Sequence, residues 1–368
     1  MNDSPHHASR IVWVDLCRVL CAFLIVLGHC PRLLSVDRTA ANVEVLANYL
    51  FFAHGNLGDS RVFAFFVLAG VFIHYRSTEW LLWRRFFFLL VSFLAWNLVA
   101  LFLFHYTIGS SQYGWGFHTL WTALGGVPFV HGANGPLWFL KYLCLFSLIA
   151  PSLCRLSVSS RLAVSLLALL AGSANFNWTN QDFVYANETV ISFGFFLAGT
   201  CLREIGLARV TANLKKAAPL LLIGGLAFSL AMLLGAPLAS TATAAGRSIL
   251  GVLFIFAVCI LMEQYLPRRL SFRIASMGKA SFFIYAYHMI AIKIFERYHV
   301  DLGRLSILWP VIFFFAGVLL YKIIARYASF LLPYLCLEKR KNAAAPCVTV
   351  SEKESFTQSW QAEKADSL

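Results

Sequence analysis

Ten apolar segments run through the chain, at roughly 11–30, 60–76, 82–106, 136–156, 160–174, 187–204, 217–235, 246–265, 278–297 and 305–332. Runs of this length leave few options, because backbone amides inside lipid must bond within their own segment. The predicted fold is therefore all-α and polytopic, with about ten transmembrane helices. Composition agrees: 60% of residues are hydrophobic, 13% are charged, and the mean hydropathy is +0.72. Soluble domains carry roughly a quarter charged residues. Phe and Trp are abundant, at 34 and 10, as suits helices that face lipid and anchor at its interfaces.

The net charge of +13 comes in short clusters between apolar segments, which argues against nucleic acid as a partner. Arg76, Arg84 and Arg85 follow the second segment, and Arg155 and Arg161 the fourth. Arg203, Arg209, Lys215 and Lys216 follow the sixth, and Arg268, Arg269, Arg273 and Lys279 the eighth. The alternate links at 107–135, 175–186 and 236–245 contain no Lys or Arg. The positive-inside rule then predicts cytoplasmic N- and C-termini, which an even helix count requires. Arg32, Arg38 and Arg304 depart mildly from this pattern. The expected organisation is a cytoplasmic N-tail at 1–10, a transmembrane domain at 11–335 and a disordered cytoplasmic tail at 336–368. The first apolar run has no small-residue cleavage site after it and reads as a retained helix.

Nine cysteines, an odd number without a CxxC pair, suggest buried packing residues, with neither a disulfide framework nor a metal site. The stretch 117–135, "FHTLWTALGGVPFVHGANG", is too broken by Gly and Pro to span and reads as an outer loop.

The first segment, "DLCRVLCAFLIVLGHC", carries ionisable groups that lipid penalises. Arg18 and His29 are eleven residues apart, which returns a helix to nearly the same face with an axial offset of about 16 Å. Asp15, three residues before Arg18, is within pairing reach. Two readings fit the pair. Arg18 snorkels to one interface while His29 sits among headgroups at the other, or the two face the protein interior as a functional pair.

Four stretches in order resemble the membrane-bound acyltransferase 3 family. "DLCRVLCAFLIVLGH" is similar to that family's first helix, marked by Arg, ten residues, then His. "FAFFVLAGVFI" resembles its Phe-Phe-x-x-Ser-Gly segment, with Gly70 kept and Ala69 in place of Ser. "GPLWFLKYL" resembles its Leu-Trp-Phe-Leu segment, and "GKASFFIYAYH" its Gly-Lys-x-Ser-x-x-x-Tyr-x-x-His segment. The third helix departs from the family: Arg85 fits the first Arg of Arg-x-x-Arg, but Phe88 stands at the second and Ser92 at the following Pro.

The resemblance implies transfer of an acyl group, usually acetyl, from cytoplasmic acyl-CoA to a hydroxyl of a surface or lipid-linked carbohydrate. Acetyl-CoA, or another acyl-CoA, is then the donor substrate. The implied partners are that donor, the glycan acceptor and membrane lipid, and the implied location is a bacterial inner membrane. On this basis His29 is the expected general base, Arg18 the group that orients the donor or stabilises an oxyanion, and Asp15 the residue that holds Arg18. Arg85 and Arg84 are the candidates for CoA phosphate. Trp138, Tyr285, His288 and Asn134 are the candidates for the acceptor side, with His131 beside them. Interfacial packing and interhelical hydrogen bonding are the plain alternatives for Trp138 and for the Tyr285–His288 pair. His54, His74, His105, His118 and His299 read as interfacial. A polytopic exporter of a glycan or small anion is the competing function, disfavoured by the absence of two matching halves or corresponding broken helices.

Overall fold

The computed structural model describes residues 11–30, 59–72, 79–108, 134–174, 186–233, 241–298 and 308–335, with the side chains of 79–85, 105–108, 229–233, 241–244 and 333 left aside. The two predicted tails lie outside these residues. Every regular element among them is helical. The helices are α1 (Val12–His29), α2 (Ser60–Val71), α3 (Glu79–Ile108), α4 (Trp138–Leu153), α5 (Val158–Ser173) and α6 (Ala186–Ile205). They continue as α7 (Leu207–Leu233), α8 (Thr241–Tyr265), α9 (Arg268–Ser276), α10 (Ser281–Arg297), α11 (Trp309–Tyr327) and α12 (Leu332–Leu335). Each of the ten apolar segments thus contains a helix.

Length and apolarity sort these helices. Five stretches are long and apolar enough to cross a membrane: Val12–His29, Phe86–Phe104, Gly135–Leu153, Ala245–Tyr265 and Trp309–Tyr327. A sixth arises if α6 and α7 count as one span, although they are bent by 106° at the single residue between them. That residue, Gly206, has φ +98°, a conformation that a side chain resists. Two apolar helices, Ser60–Val71 and Val158–Ser173, are shorter. At 1.5 Å per residue, 12 residues reach about 18 Å, less than a hydrocarbon core of ~30 Å. Their burial comes from helix neighbours: α2 and α5 both pack on α6.

Local chemistry explains the helix ends. At α5, Ser157 Oγ accepts the amide of Ser160 at 3.1 Å, a side-chain N-cap. Proline stands in the first turn of α11, where its missing N–H costs nothing. Between α8 and α10, α9 presents Arg268, Arg269 and Arg273 outward while Ser271 and Ala275, four apart, face the protein.

The first helix is the hub. α1 packs against α2, α8, α9, α10 and α11, and Leu16, Cys17, Cys21, Ala22, Ile25 and Val26 are almost wholly buried. By contrast Leu167, Leu220, Ile223, Phe102 and Leu319 are more than half exposed on outer helices. Exposure of this many large apolar groups is costly in water and natural against lipid.

Two expectations are corrected, and one face of the last span is added. Arg161 is no loop cation: it is 1% exposed and pairs with Glu204 of α6 while Nη1 donates to Thr200 Oγ1 at 3.4 Å. A guanidinium withdrawn from solvent requires such partners. Lys215 and Lys216 belong to the exposed surface of α7, not to a link, and Lys215 pairs with Glu263 at 3.6 Å. The aromatic last span is only partly lipid-facing, since Trp309, Phe313 and Phe314 are buried against a cluster with Val19, Ala22 and Val26 of α1.

Candidate functional site

Two close approaches hold α2 antiparallel to α1. At one end the Arg18 guanidinium lies over the ring of Phe72, 5.1 Å from its centroid, just past the C-terminus of α2. At the other end Arg61, in the first turn of α2, donates from Nη1 to the carbonyl oxygen of Leu24 at 2.7 Å. Its guanidinium rests on Gly28: a β-carbon added there would sit inside it. Glycine at 28 is what admits the Arg61 guanidinium against α1, one residue before His29.

Arg18 and Asp15 pair as expected, 3.4 Å apart, with Arg18 37% exposed and Asp15 16%. Gly278 packs over the backbone of Asp15, where a β-carbon would stand 3.0 Å from its carbonyl oxygen. The Gly-Lys stretch therefore closes over the start of α1, and Lys279 itself is exposed. Arg18 and His29 lie at opposite ends of α1, separated by about 16 Å along the axis.

The far end of α1 meets α10. The rings of half-buried His29 and fully buried His288 have centroids 5.3 Å apart, inclined by 36°. His288 Nδ1 lies 2.7 Å from the carbonyl oxygen of Tyr285 and 3.2 Å from that of Ile284. Its Nε2 is buried without a hydrogen-bond partner. Tyr285, one turn earlier, is 6.1 Å from His288 by ring centroids.

The remaining acceptor-side candidates form a brace. Tyr285 donates its hydroxyl hydrogen to the carbonyl oxygen of Pro136. Asn134 Nδ2 donates to the carbonyl oxygen of Ala286 at 2.7 Å, and the Asn134 amide donates to Asn97 Oδ1 at 3.1 Å. These bonds tie the 3-10 turn Gly135–Leu137 to α10 and α3, and so fix where α4 begins. Trp138, the first residue of α4, packs half-buried against Phe66 and Tyr142, both at 5.9 Å by centroids. The structure thus gathers His29, His288 and Tyr285 at one end, places Asn134 and Trp138 in the brace behind them, and leaves Arg18 and Asp15 at the other end. The side chains of Arg84 and Arg85, and His131, lie outside the described residues, as do the side chains of the five histidines read as interfacial.

Arg61 escaped the sequence reading. It sits at the edge of the second apolar run, two residues before "FAFFVLAG", and its signal was a guanidinium in the first turn of an otherwise apolar helix. Gly70 serves helix packing, since a β-carbon there would run into the carbonyl oxygen of Phe196, and Gly199 reciprocates against Val67. Cys17 and Cys21 face each other with sulfurs 3.8 Å apart in the core, next to Cys259. Among the described residues no group of three His, Cys, Asp or Glu is arranged to hold a metal ion.

Chemically, one end of the hub helix offers imidazoles and a guanidinium in a mostly apolar surround. That set can move a proton and hold a negative charge. Compared with models of protein families, the chain matches the acyltransferase 3 model, described as an acyltransferase domain, over residues 11–326. Neither curated proteins nor solved structures yield a match in the same comparison. The match spans nearly all the helices that build and surround this site, and the chain belongs to the acyltransferase 3 family of integral membrane proteins.

Proposed function

We propose that this acyltransferase moves an acyl group, acetyl in the first instance, from cytoplasmic acyl-CoA to a hydroxyl of a cell-surface or lipid-linked carbohydrate, in a bacterial inner membrane. The observation that carries the reading is His29: an imidazole half-buried at the end of the central helix, beside a second imidazole, in a chain of this family.

A sugar hydroxyl is a weak nucleophile near neutral pH, and an imidazole is the side chain best matched to take its proton there. His29 acts as that base. The hydroxyl oxygen bonds to the thioester carbon, the proton passes to His29, and the C–S bond breaks. The departing sulfur recovers the proton from His29 and leaves as free CoA. Arg18, held by Asp15, serves at the opposite end, where a guanidinium suits the phosphates of CoA. Arg85 is assigned to the same phosphates on the strength of the family motif, with Arg84 next to it in the chain as a further candidate. The axial separation of about 16 Å is on the order of a pantetheine arm, so a nucleotide held near Arg18 presents its thioester near His29. Trp138 offers an aromatic face to the sugar, while Tyr285 and Asn134 hold the turn that carries it.

The test is a comparison of O-acyl content in envelope glycans with and without the gene, together with release of CoA thiol from labelled acetyl-CoA by membranes. His29→Ala is expected to lower acceptor-dependent release by about 10²–10⁴-fold. Restoration of acylation by that variant removes His29 from the chemistry. Glycan movement without CoA release points to the exporter instead.

A further inference from the structure

Two buried polar atoms at the C-terminal end of α1 have no hydrogen-bond partner in the protein. The first is Nε2 of His288. Both atoms near Nδ1 are carbonyl oxygens, which only accept, so Nδ1 carries the proton and Nε2 is a bare lone pair. This assignment follows from the hydrogen-bond partners. The second is the Nε–H of Arg61. Nη1 of that residue is engaged by Leu24, and the guanidinium lies on Gly28, next to His29 in the chain. Its charge also acts on Tyr285 and His288. The Asp59 carboxylate acts on the same guanidinium, yet the Arg61 Nε–H and His288 Nε2 each remain buried without a hydrogen-bond partner, which is costly unless something meets them.

The electrostatics of α1 say what that something is. His29 stands in the last turn of α1, where the helix dipole presents partial negative charge. This end favours an imidazolium and opposes an oxyanion. A tetrahedral adduct formed there requires a separate positive group. Arg18 is about 16 Å away along the axis and does not reach it. Arg61 is in place.

We propose that Arg61 is a further catalytic residue, its guanidinium holding the oxyanion that forms next to His29, and that His288 is a positioning residue that accepts the His29 N–H. The inference rests on the acyl-transfer reading given above. As the hydroxyl oxygen bonds to the thioester carbon, its proton goes to one nitrogen of His29 and the carbonyl electrons move onto the oxygen facing Arg61. The other His29 nitrogen gives its hydrogen bond to His288 Nε2, within reach after a small ring rotation at a centroid distance of 5.3 Å. The C=O bond then re-forms, the C–S bond breaks, and the sulfur takes its proton from His29. His288 stays neutral and Arg61 charged throughout. Arg18 keeps only the donor end.

The test uses the full chain in lipid nanodiscs with labelled acetyl-CoA, reading CoA release with glycan-bearing acceptor membranes and, separately, the Kd of acetyl-CoA. Arg61→Met is expected to lower kcat by about 10²–10³-fold with the Kd changed by less than about twofold. Arg61→Lys is expected to recover part of the rate, and added guanidinium to rescue Arg61→Ala. His288→Gln, which keeps an acceptor, is expected to stay faster than His288→Phe at unchanged Kd. Full turnover in Arg61→Met, or a loss that appears equally in the Kd, overturns the Arg61 assignment and leaves the function intact. If Arg61→Met fails to fold, absence of rescue in Arg61→Ala is the result that overturns it. Equal rates for the two His288 variants overturn the positioning role. A wild type that binds acetyl-CoA but never releases CoA overturns the function, and this inference with it.

Discussion

In the proposed mechanism single residues carry the chemistry because their neighbours make room for them. Gly28 is the case in point. Its missing β-carbon is the seat of the Arg61 guanidinium. Gly28→Ala leaves α1 a better helix by propensity, by about 1 kcal/mol, yet it must push the guanidinium off the end of α1 and away from the Leu24 carbonyl. Such a displacement costs up to about 10²-fold in rate where a charged group must meet a developing charge. The expected outcome is a kcat loss of roughly that size with no loss of thermal stability, read by acetyl-CoA turnover and by helix melting on the same preparation. Spacing put Arg18 and His29 on one face of one helix, because eleven steps return to nearly the same side, but it left open whether they face lipid headgroups or the protein. Arg61 was not, since an arginine at the edge of an apolar segment looks the same in sequence whether it faces headgroups or a histidine.

At the scale of elements, the crossing of α2 with α6 sets where Arg61 stands. Gly70 and Gly199 approach so closely that each opposes backbone of the other helix, not a flexible side chain. Small residues permit this approach, and a methyl group has nowhere to go. Gly70→Ala is therefore expected to destabilise the fold by about 1–3 kcal/mol, seen as a lower midpoint of thermal unfolding in detergent. Gly70 was visible in the sequence as a motif residue, but its partner on α6 was not, because the pairing joins segments about 130 positions apart. The same distinction holds for Tyr285 and Asn134. Their residue types pointed to polar function, and the fold commits their donors to the brace between α10, α3 and the turn before Trp138. A buried donor takes the nearest carbonyl that the packing offers, and no local rule identifies that carbonyl.

For the whole molecule, the distribution of Lys and Arg predicts both termini on the cytoplasmic side. A reporter that works only in the cytoplasm, fused after Leu368, is expected to be active, and one that works only outside is expected to be silent; the reverse result inverts the bundle and moves His29 to the inner surface. Hydropathy located all ten apolar segments that became helices, because a backbone in lipid has no alternative to the helix. It did not separate spans from shorter supporting helices such as α2 and α5, whose burial depends on α6 and not on lipid. It also read Arg161 as a loop cation, since the Glu204 that neutralises it comes from another segment. By itself, then, the sequence determined the helices, their apolar character, the place of Arg18 and His29 on one helix, and the family. Only tertiary structure decided which ionisable groups share the end of α1, bringing His288 to His29 and Arg61 to the neighbouring Gly28, because burial, partner choice and charge balance are properties of packed neighbours and not of spacing along one chain.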